Sequence, residues 1–398
     1  MDLSAHRKDF PLLSQTLDGN PVIFLDSAST TPKPQAVIDA VTSFYTQHTA
    51  NVHRGVHAFG EDSTQKFEEA RAEVASFLNC SPAEIVFTKN ATMSMNMVAA
   101  GLELRRDDEV LTTELEHHAN YLPWRIRAKV VPVGLEQDGT PRWNELASKL
   151  SKKTRLVTLA HVSNTTGLVA PVEDWISQAK KHGALTLIDA SQSASHLPID
   201  VKALGCDFLA FSGHKLLGPS GVGVLYGRRE LLEKLTPFET GGGMVSYHAK
   251  DRFELREAPF KHEAGTPNIE GVLGLGAAVR YLRRIGMSNI HTHSRALGTQ
   301  MVEGLRGVKG VTLIGRSAPA EQRIGLCTFH VNAGGMQQSD VARFLCDAHQ
   351  ILCSGGFHCA HMLHHELKLE GTVRASAHLF NTEAEIEKLL AAVRELAV

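Results

Sequence analysis

Short apolar runs alternate with helical patterns through the first two-thirds of this chain, and that alternation restricts its fold more than any other feature. Strands are predicted at residues 22–26, 84–88, 109–112, 129–133, 155–160, 185–189, 207–212 and 221–226. Between the first two, Phe67, Ala70, Val74 and Leu78 repeat at helical spacing and predict a helix with one buried stripe. Strands alternating with helices build a largely parallel sheet covered on both faces, so the expected class is α/β. A short glycine-containing segment joins the last two strands, which allows one antiparallel pair there. In open sheets of this kind ligands collect at the carboxyl ends of strands.

Two such ends carry reactive groups. One reads Ser212-Gly213-His214-Lys215, and the other, 26 positions upstream of the lysine, reads Asp189-Ala190-Ser191-Gln192. A lysine forms an imine with an aldehyde cofactor, and an aspartate keeps a pyridine nitrogen protonated. Hydroxyl and imidazole groups bind phosphate. Together these residues describe a pyridoxal phosphate pocket. The bland alternative is a surface lysine after a buried strand, with an aspartate that caps a turn; the combination of the two motifs favours the pocket. Thr92 stands before a predicted helix at 93–100, where a helix start suits phosphate. Asn164 follows the 155–160 strand, at the same side of the sheet.

The 398 residues are 43% hydrophobic and 21% charged, as in ordinary globular proteins, and suffice for two or three domains. A net charge of −2 offers no bulk attraction for nucleic acid or an anionic membrane. No stretch is long and apolar enough to span a bilayer, and Met1-Asp2-Leu3-Ser4-Ala5-His6 has no secretory pattern. The six cysteines are scattered without a Cys-x-x-Cys pair, which fits a reducing, cytoplasmic setting and no disulfide framework. Most lie in apolar segments and are expected in the core. Cys359 is the exception, with His358, His361, His364 and His365 around it. These neighbours lack the spaced pairs of a zinc site, so no metal is expected.

Composition changes near Pro267. Residues 271–284 read as a long helix, followed by a smaller α+β unit with strands at 311–314 and 325–331 and a helix at 339–348. In the closing helix Thr382 and Glu385 form a capping box, and Ile386, Leu389, Leu390 and Val393 make the buried face. Residues 354–363 read as a loop. The Gly241-Gly242-Gly243 run lacks the Lys-Ser/Thr of a P-loop and reads as a flexible loop near the site. The expected division is an N-terminal segment, 1–20, packing with the small domain, a large cofactor-binding domain, 21–266, and a small domain, 267–398.

Seven blocks carry a family resemblance. They are Leu25-Asp26-Ser27-Ala28-Ser29-Thr30-Thr31, Asn51-Val52-His53-Arg54-Gly55-Val56-His57, Glu116-His117-His118-Ala119-Asn120, His161-Val162-Ser163-Asn164, Ala264-Gly265-Thr266-Pro267-Asn268, Phe357-His358-Cys359-Ala360 and Arg374-Ala375-Ser376. In this order they resemble the class V aminotransferase-like pyridoxal phosphate enzymes, and within them the cysteine desulfurase and selenocysteine lyase group. The resemblance covers nearly the whole chain and implies the transferase fold type I of such enzymes. It implies that Lys215 would hold the cofactor as an imine and His117 would stack on its ring. Asp189 would bind the ring nitrogen and Gln192 the phenolate oxygen. Thr92, Ser212 and His214 would hold the phosphate, with Ala91 a further cofactor contact and Thr266 donated across a dimer interface. Asn164 and Arg374 would clamp the substrate carboxylate. Cys359 would be the nucleophile on a loop that Gly355-Gly356 lets swing, with His358 or His361 to accept its proton.

The implied activity is desulfuration of L-cysteine to L-alanine, leaving a persulfide on the enzyme for a sulfur-acceptor protein, as in iron–sulfur cluster assembly. Selenocysteine lyase is the near alternative, and a class V aminotransferase or epimerase the distant one, since neither of the latter needs Cys359. A non-catalytic dimeric sulfur-relay scaffold is the alternative of another kind, against which an intact Lys215 speaks. Two positions depart from the family pattern: Ser354 stands where an arginine commonly precedes the cysteine by five residues, and Met244 where a glutamate often follows the triple glycine. Both remove charge near the substrate or acceptor path and leave the choice between cysteine and selenocysteine open.

Overall fold

The computed structural model describes residues 3–397. Its main sheet has seven strands: β1 (Ile85–Thr88), β2 (Glu109–Thr113), β3 (Lys129–Val133), β4 (Thr154–Ala160), β5 (Leu185–Asp189), β6 (Phe208–Ser212) and β7 (Gly223–Gly227). The spatial order is β1-β7-β6-β5-β4-β2-β3. β7 runs antiparallel to both neighbours and the other pairs are parallel. The central strands are buried almost without interruption because helices cover both faces. The covering helices include α1 (Gln35–Gln47), α2 (Ala58–Leu78), α3 (Ala91–Gly101), α4 (Val172–Lys181) and α5 (Ile269–Ile285). The predicted stripe of Phe67, Ala70, Val74 and Leu78 is buried on α2, although the helix starts earlier than the stripe.

The second unit is a four-stranded antiparallel sheet of β8 (Val311–Leu313), β9 (Leu326–Val331), β10 (Ser354–Gly356) and β11 (Thr372–Ser376), in the order β8-β9-β11-β10. Helices α6 (Met287–Leu305), α7 (Gln338–His349), the short α8 (His361–Glu366) and α9 (Glu383–Leu396) complete it. Leu297, Met301, Phe329, Val341, Val373 and Leu389 meet in its core. The Thr382–Glu385 capping box is present at the start of α9.

Three expectations are corrected. The run at 22–26 does not enter the main sheet: Ile23–Phe24 pairs in parallel with Ile351–Leu352, and Asp26 bridges Ser376. An apolar run shows that a strand is buried and says nothing of its partner. The boundary expected at Pro267 is not one in packing, because Val272, Leu275, Val279 and Leu282 of α5 share the core of the main sheet. Each such side chain contributes roughly 1.5–3 kcal/mol by leaving water, and Gly276 lets α5 approach α2 so closely that an added Cβ would lie 2.8 Å from Ala70 Cβ. The change of core comes after α5, around Gly286. Residues 354–363 are not all loop, since they begin as β10 and end inside α8. The N-terminal segment touches both units: Arg7 pairs with Glu385 at 2.9 Å, while Phe10 packs on Tyr281 of α5 and on Phe380.

Candidate active site

A cavity of about 490 Å³ opens at the carboxyl ends of β4, β5 and β6, beside the start of α3 and the turn between β10 and α8. It collects Ala91, Thr92, His117, Asn164, Asp189, Gln192, Ser212, His214, Lys215, Cys359 and Arg374. All the predicted site residues are therefore brought together except Thr266.

Lys215 ends the short turn that follows β6. Burial pushes its amine down to about 8 and Arg374 pushes the same way, while Asp189 and Cys359 oppose them. At that value a usable fraction is neutral near neutrality, as a nucleophilic or basic amine requires. Asp189 closes β5, and its Oδ1 accepts the Ser191 N–H at 2.9 Å. Burial raises its pKa against that bond and against Lys215, so a protonated ring nitrogen would be a fitting partner.

His117 follows the end of β2. Its Nδ1 accepts the Ala119 N–H at 3.0 Å, which leaves the ring proton on Nε2. Burial first, then Lys215, pushes this imidazole down to about 3, so it is neutral. Glu116, to which the sequence reading assigned no role, fixes the geometry beneath it. Its carboxyl accepts from Thr113 Oγ1 at 2.9 Å, Asn120 Nδ2 at 2.7 Å and the Ala160 N–H at 2.9 Å, tying the end of β2 to the end of β4. Burial raises it to about 8. The available signal was a carboxyl just after a strand with Thr113 and Asn120 within four residues, whereas the Ala160 donor comes from 44 residues away.

A wall suited to an anion is built where α3 begins. Gly223 of β7 lets the Asn90 backbone come so near that a Cβ there would lie 2.5 Å from Asn90 Cα. Asn90 Oδ1 caps the helix by accepting the Met93 N–H, and Ser212 Oγ accepts the Ala91 N–H, both at 2.9 Å. Thr92 and His214 line the same cavity. A helix start with hydroxyl groups is a ready anion site. Gln192 Nε2 donates to Ala28 O at 3.0 Å, which anchors its amide.

Arg374, on β11, donates from Nη1 to Asn164 O at 3.0 Å and from Nη2 to Ser29 Oγ at 2.7 Å. Its Nε has no partner among the described residues. Asn164 Nδ2 in turn donates to His358 O at 2.8 Å, so the guanidinium and the cysteine turn are mechanically linked. Ser354, at the position where an arginine is common, donates to Asp26 Oδ1 at 2.6 Å and lies 3.0 Å from Ser29 Oγ. Neither Asp26 nor Ser29 had been given a role.

Cys359 is the one exposed cysteine of six, all of which are free. Burial pushes the thiols of Cys80, Cys206, Cys327 and Cys353 up to about 12, which makes them poor nucleophiles. Neither expected proton acceptor is idle: His358 Nε2 is 3.0 Å from Thr372 O, and His361 Nδ1 is 3.2 Å from His118 Nε2. The expected two-glycine swing is also reduced. Gly355 is locked in β10, where a Cβ would lie 2.4 Å from Gln338 O, and only Gly356, at φ 132°, has free space around it.

Thr266 lines a separate cavity with Arg54, Gly242 and Gly243. The triple-glycine loop therefore lies away from the catalytic cavity of its own chain, which corrects its expected place. Met244 is buried there, and its sulfur accepts the Gly241 N–H at 3.1 Å.

The family model for class V aminotransferases matches residues 23–389. The chain belongs to this family. Among class V aminotransferase relatives, a probable cysteine desulfurase of Halalkalibacterium halodurans is 41% identical over 97% of this chain and 96% of its own. The apo structure of a cysteine desulfurase from Thermococcus onnurineus superposes with a TM-score of 0.92 at 39% identity, covering 99% of this chain and 97% of the other. A cysteine desulfurase from Escherichia coli, solved in an S-sulfonic acid form, gives 0.88 at 36% identity over 100% of both chains. The class V aminotransferase architecture seen here is fold type I of the pyridoxal phosphate-dependent transferases.

Proposed function

We propose that the protein is a pyridoxal phosphate-dependent cysteine desulfurase that turns L-cysteine into L-alanine and leaves the sulfur as a persulfide on Cys359. The observation that carries this reading is an exposed thiol at a cavity that also holds a buried lysine with its pKa lowered to about 8 and a buried aspartate. Thr92, Ser212 and His214 would hold the cofactor phosphate, Asp189 the ring nitrogen and Lys215 the aldehyde carbon, with His117, Gln192 and Ala91 against the ring. When bound, the cofactor supplies an electron sink for the substrate Cα.

The chain's own residues supply the remaining work. Arg374 binds the substrate carboxylate through charge-assisted hydrogen bonds, and Asn164 keeps it in register with the cysteine turn. Lys215 removes the Cα proton and can return it elsewhere, because its amine is close to neutral poise. His117 offers Nε2–H as a fixed donor. Cys359 attacks the substrate sulfur as thiolate: an S–S bond forms, the Cβ–S bond breaks, and its electron pair stays with the carbon fragment, which takes up a proton to become alanine. The persulfide then passes to a reductant or to an acceptor protein.

The same reading includes a homodimer in which Thr266 of one protomer reaches the phosphate held by the other. Its separation from the catalytic cavity of its own chain supports this. No helix among the described residues is long and apolar enough to cross a membrane, and a cytoplasmic role in supplying sulfur for iron–sulfur clusters fits the free cysteines. The deciding experiment measures alanine and sulfide from cysteine with and without reductant. One alanine per site without reductant and continuous release with it are expected; no alanine in either case would overturn the proposal.

A further inference from the structure

The backbone of the cysteine turn is held from the side by one residue of the large unit. The His118 N–H donates to Cys359 O at 2.9 Å. Two residues on, the His361 backbone N–H and its Nδ1 both face His118 Nε2, at 3.5 and 3.2 Å. The two imidazoles stack with centroids 4.8 Å apart, and Phe357 stacks on His361 at 4.6 Å. A backbone N–H can only donate, so His118 Nε2 is an acceptor and carries no proton. A proton on that atom leaves the His361 backbone N–H facing a donor, while the His361 ring can change tautomer.

The turn so held is one that would not hold itself. His358 and Cys359 both adopt left-handed backbone, at φ 50° and 55°, a conformation non-glycine residues keep only where the surroundings impose it. Asn164 restrains His358 from one side, and His118 with His361 restrains Cys359 from the other.

We infer that His118 and His361 form a clasp that fixes Cys359 in place for attack, and that protonation of His118 opens it for sulfur transfer. The functional half of this statement rests on the desulfurase reading; the clasp itself does not. The groups that face it are His117, with centroids 6.3 Å from His118, and His364, which His361 influences. Burial and then His361 hold His118 below the ordinary imidazole value, and no carboxylate counteracts them. The clasp is therefore closed through neutral pH and opens in acid.

The test is hydrogen–deuterium exchange of the 357–362 segment in the cofactor-loaded protein, corrected for intrinsic rates, at about pH 8 and about pH 5, either side of the imidazole range. In the parent protein, protection of the His361 amide should fall roughly tenfold at the lower pH, as expected when its hydrogen bond to His118 Nε2 is released. His118→Gln keeps an acceptor that does not titrate, so its protection should be nearly equal at both values. His118→Ala lacks the imidazole acceptor but keeps the backbone N–H that holds Cys359 O, so it should show the lower protection of the His361 amide at both. His358 and His364 remain in every variant, so a pH-dependent loss that persists in His118→Gln assigns the effect to them and overturns the inference, as does constant protection in the parent. Exchange needs no turnover, so failure of the clasp and failure of the desulfurase reading, scored by alanine release, are told apart.

Discussion

Arg374 Nη2 lies 3.6 Å from Asp26 Oδ1. A guanidinium that faces the cavity is thus aimed by a carboxylate from a distant part of the chain, with Ser29 and Ser354 completing the hydrogen-bonded set. Arg374→Ala should raise the KM for cysteine about 10- to 100-fold, the worth of one charge-assisted clamp, with a smaller effect on kcat. Asp26→Asn should shift KM in the same direction by less. Steady-state alanine formation measures both, and an unchanged KM in Arg374→Ala places the carboxylate elsewhere.

Lys215→Ala should release no alanine, because no other lysine among the described residues lines the cavity. Asp189→Asn should retain the cofactor and turn over about 10²–10³ times more slowly, as for loss of a fixed electrostatic group. Normal turnover in the lysine variant would remove Lys215 from the mechanism.

Cys359→Ser should keep the visible absorption of the bound cofactor, bind cysteine, and lose most desulfuration. Selenocysteine, whose selenium leaves more readily, should still be processed to alanine by this variant. Sulfide release from cysteine at the parent rate would exclude the persulfide route.

The dimer proposal predicts twice the chain mass in sedimentation at micromolar concentration. Thr266→Ala should lower cofactor retention, measured by equilibrium dialysis, because the phosphate loses a hydroxyl donor. A fully active monomer would contradict the shared site.

A buried histidine pair should make the fold sensitive to acid. His196 and His378 lie with centroids 4.5 Å apart, and His196 Nδ1 is 2.8 Å from Ser294 Oγ. Burial pushes His196 down to about 3 and His378 well below its ordinary value of 6.5. The unfolded chain therefore binds these protons more readily than the folded one. Their contribution is fully present above that ordinary value and is lost as pH falls from it toward the folded pKa values, by about 2 kcal/mol per imidazole at about pH 5. Urea midpoints at neutral and mildly acidic pH should differ accordingly, and His196→Gln should shrink the difference. Equal midpoints in the parent protein would count against a neutral buried pair.

Residue types and their local spacing determined much of this protein without further help. The apolar runs that became β1 to β7, the stripe on α2 and the Thr382–Glu385 capping box are local patterns, because side-chain period and cap chemistry act within a few residues. The chemistry of Lys215 and Asp189 was legible for the same reason: each stands directly after or at the end of an apolar run, and strand ends are where ligands bind. Cys359 stood out because its neighbours are polar.

Tertiary structure decided what depends on distant partners. It sent Ile23–Phe24 to Ile351–Leu352 instead of the main sheet, and it assigned α5 to the core of α2. It locked Gly355 against Gln338 and placed Glu116 under β2 and β4. It also kept Thr266 out of the catalytic cavity of its own chain. An apolar face specifies that it will be buried, whereas the surface it meets is selected by shape and by the hydrogen-bonding groups that packing must satisfy, which no single stretch of chain contains.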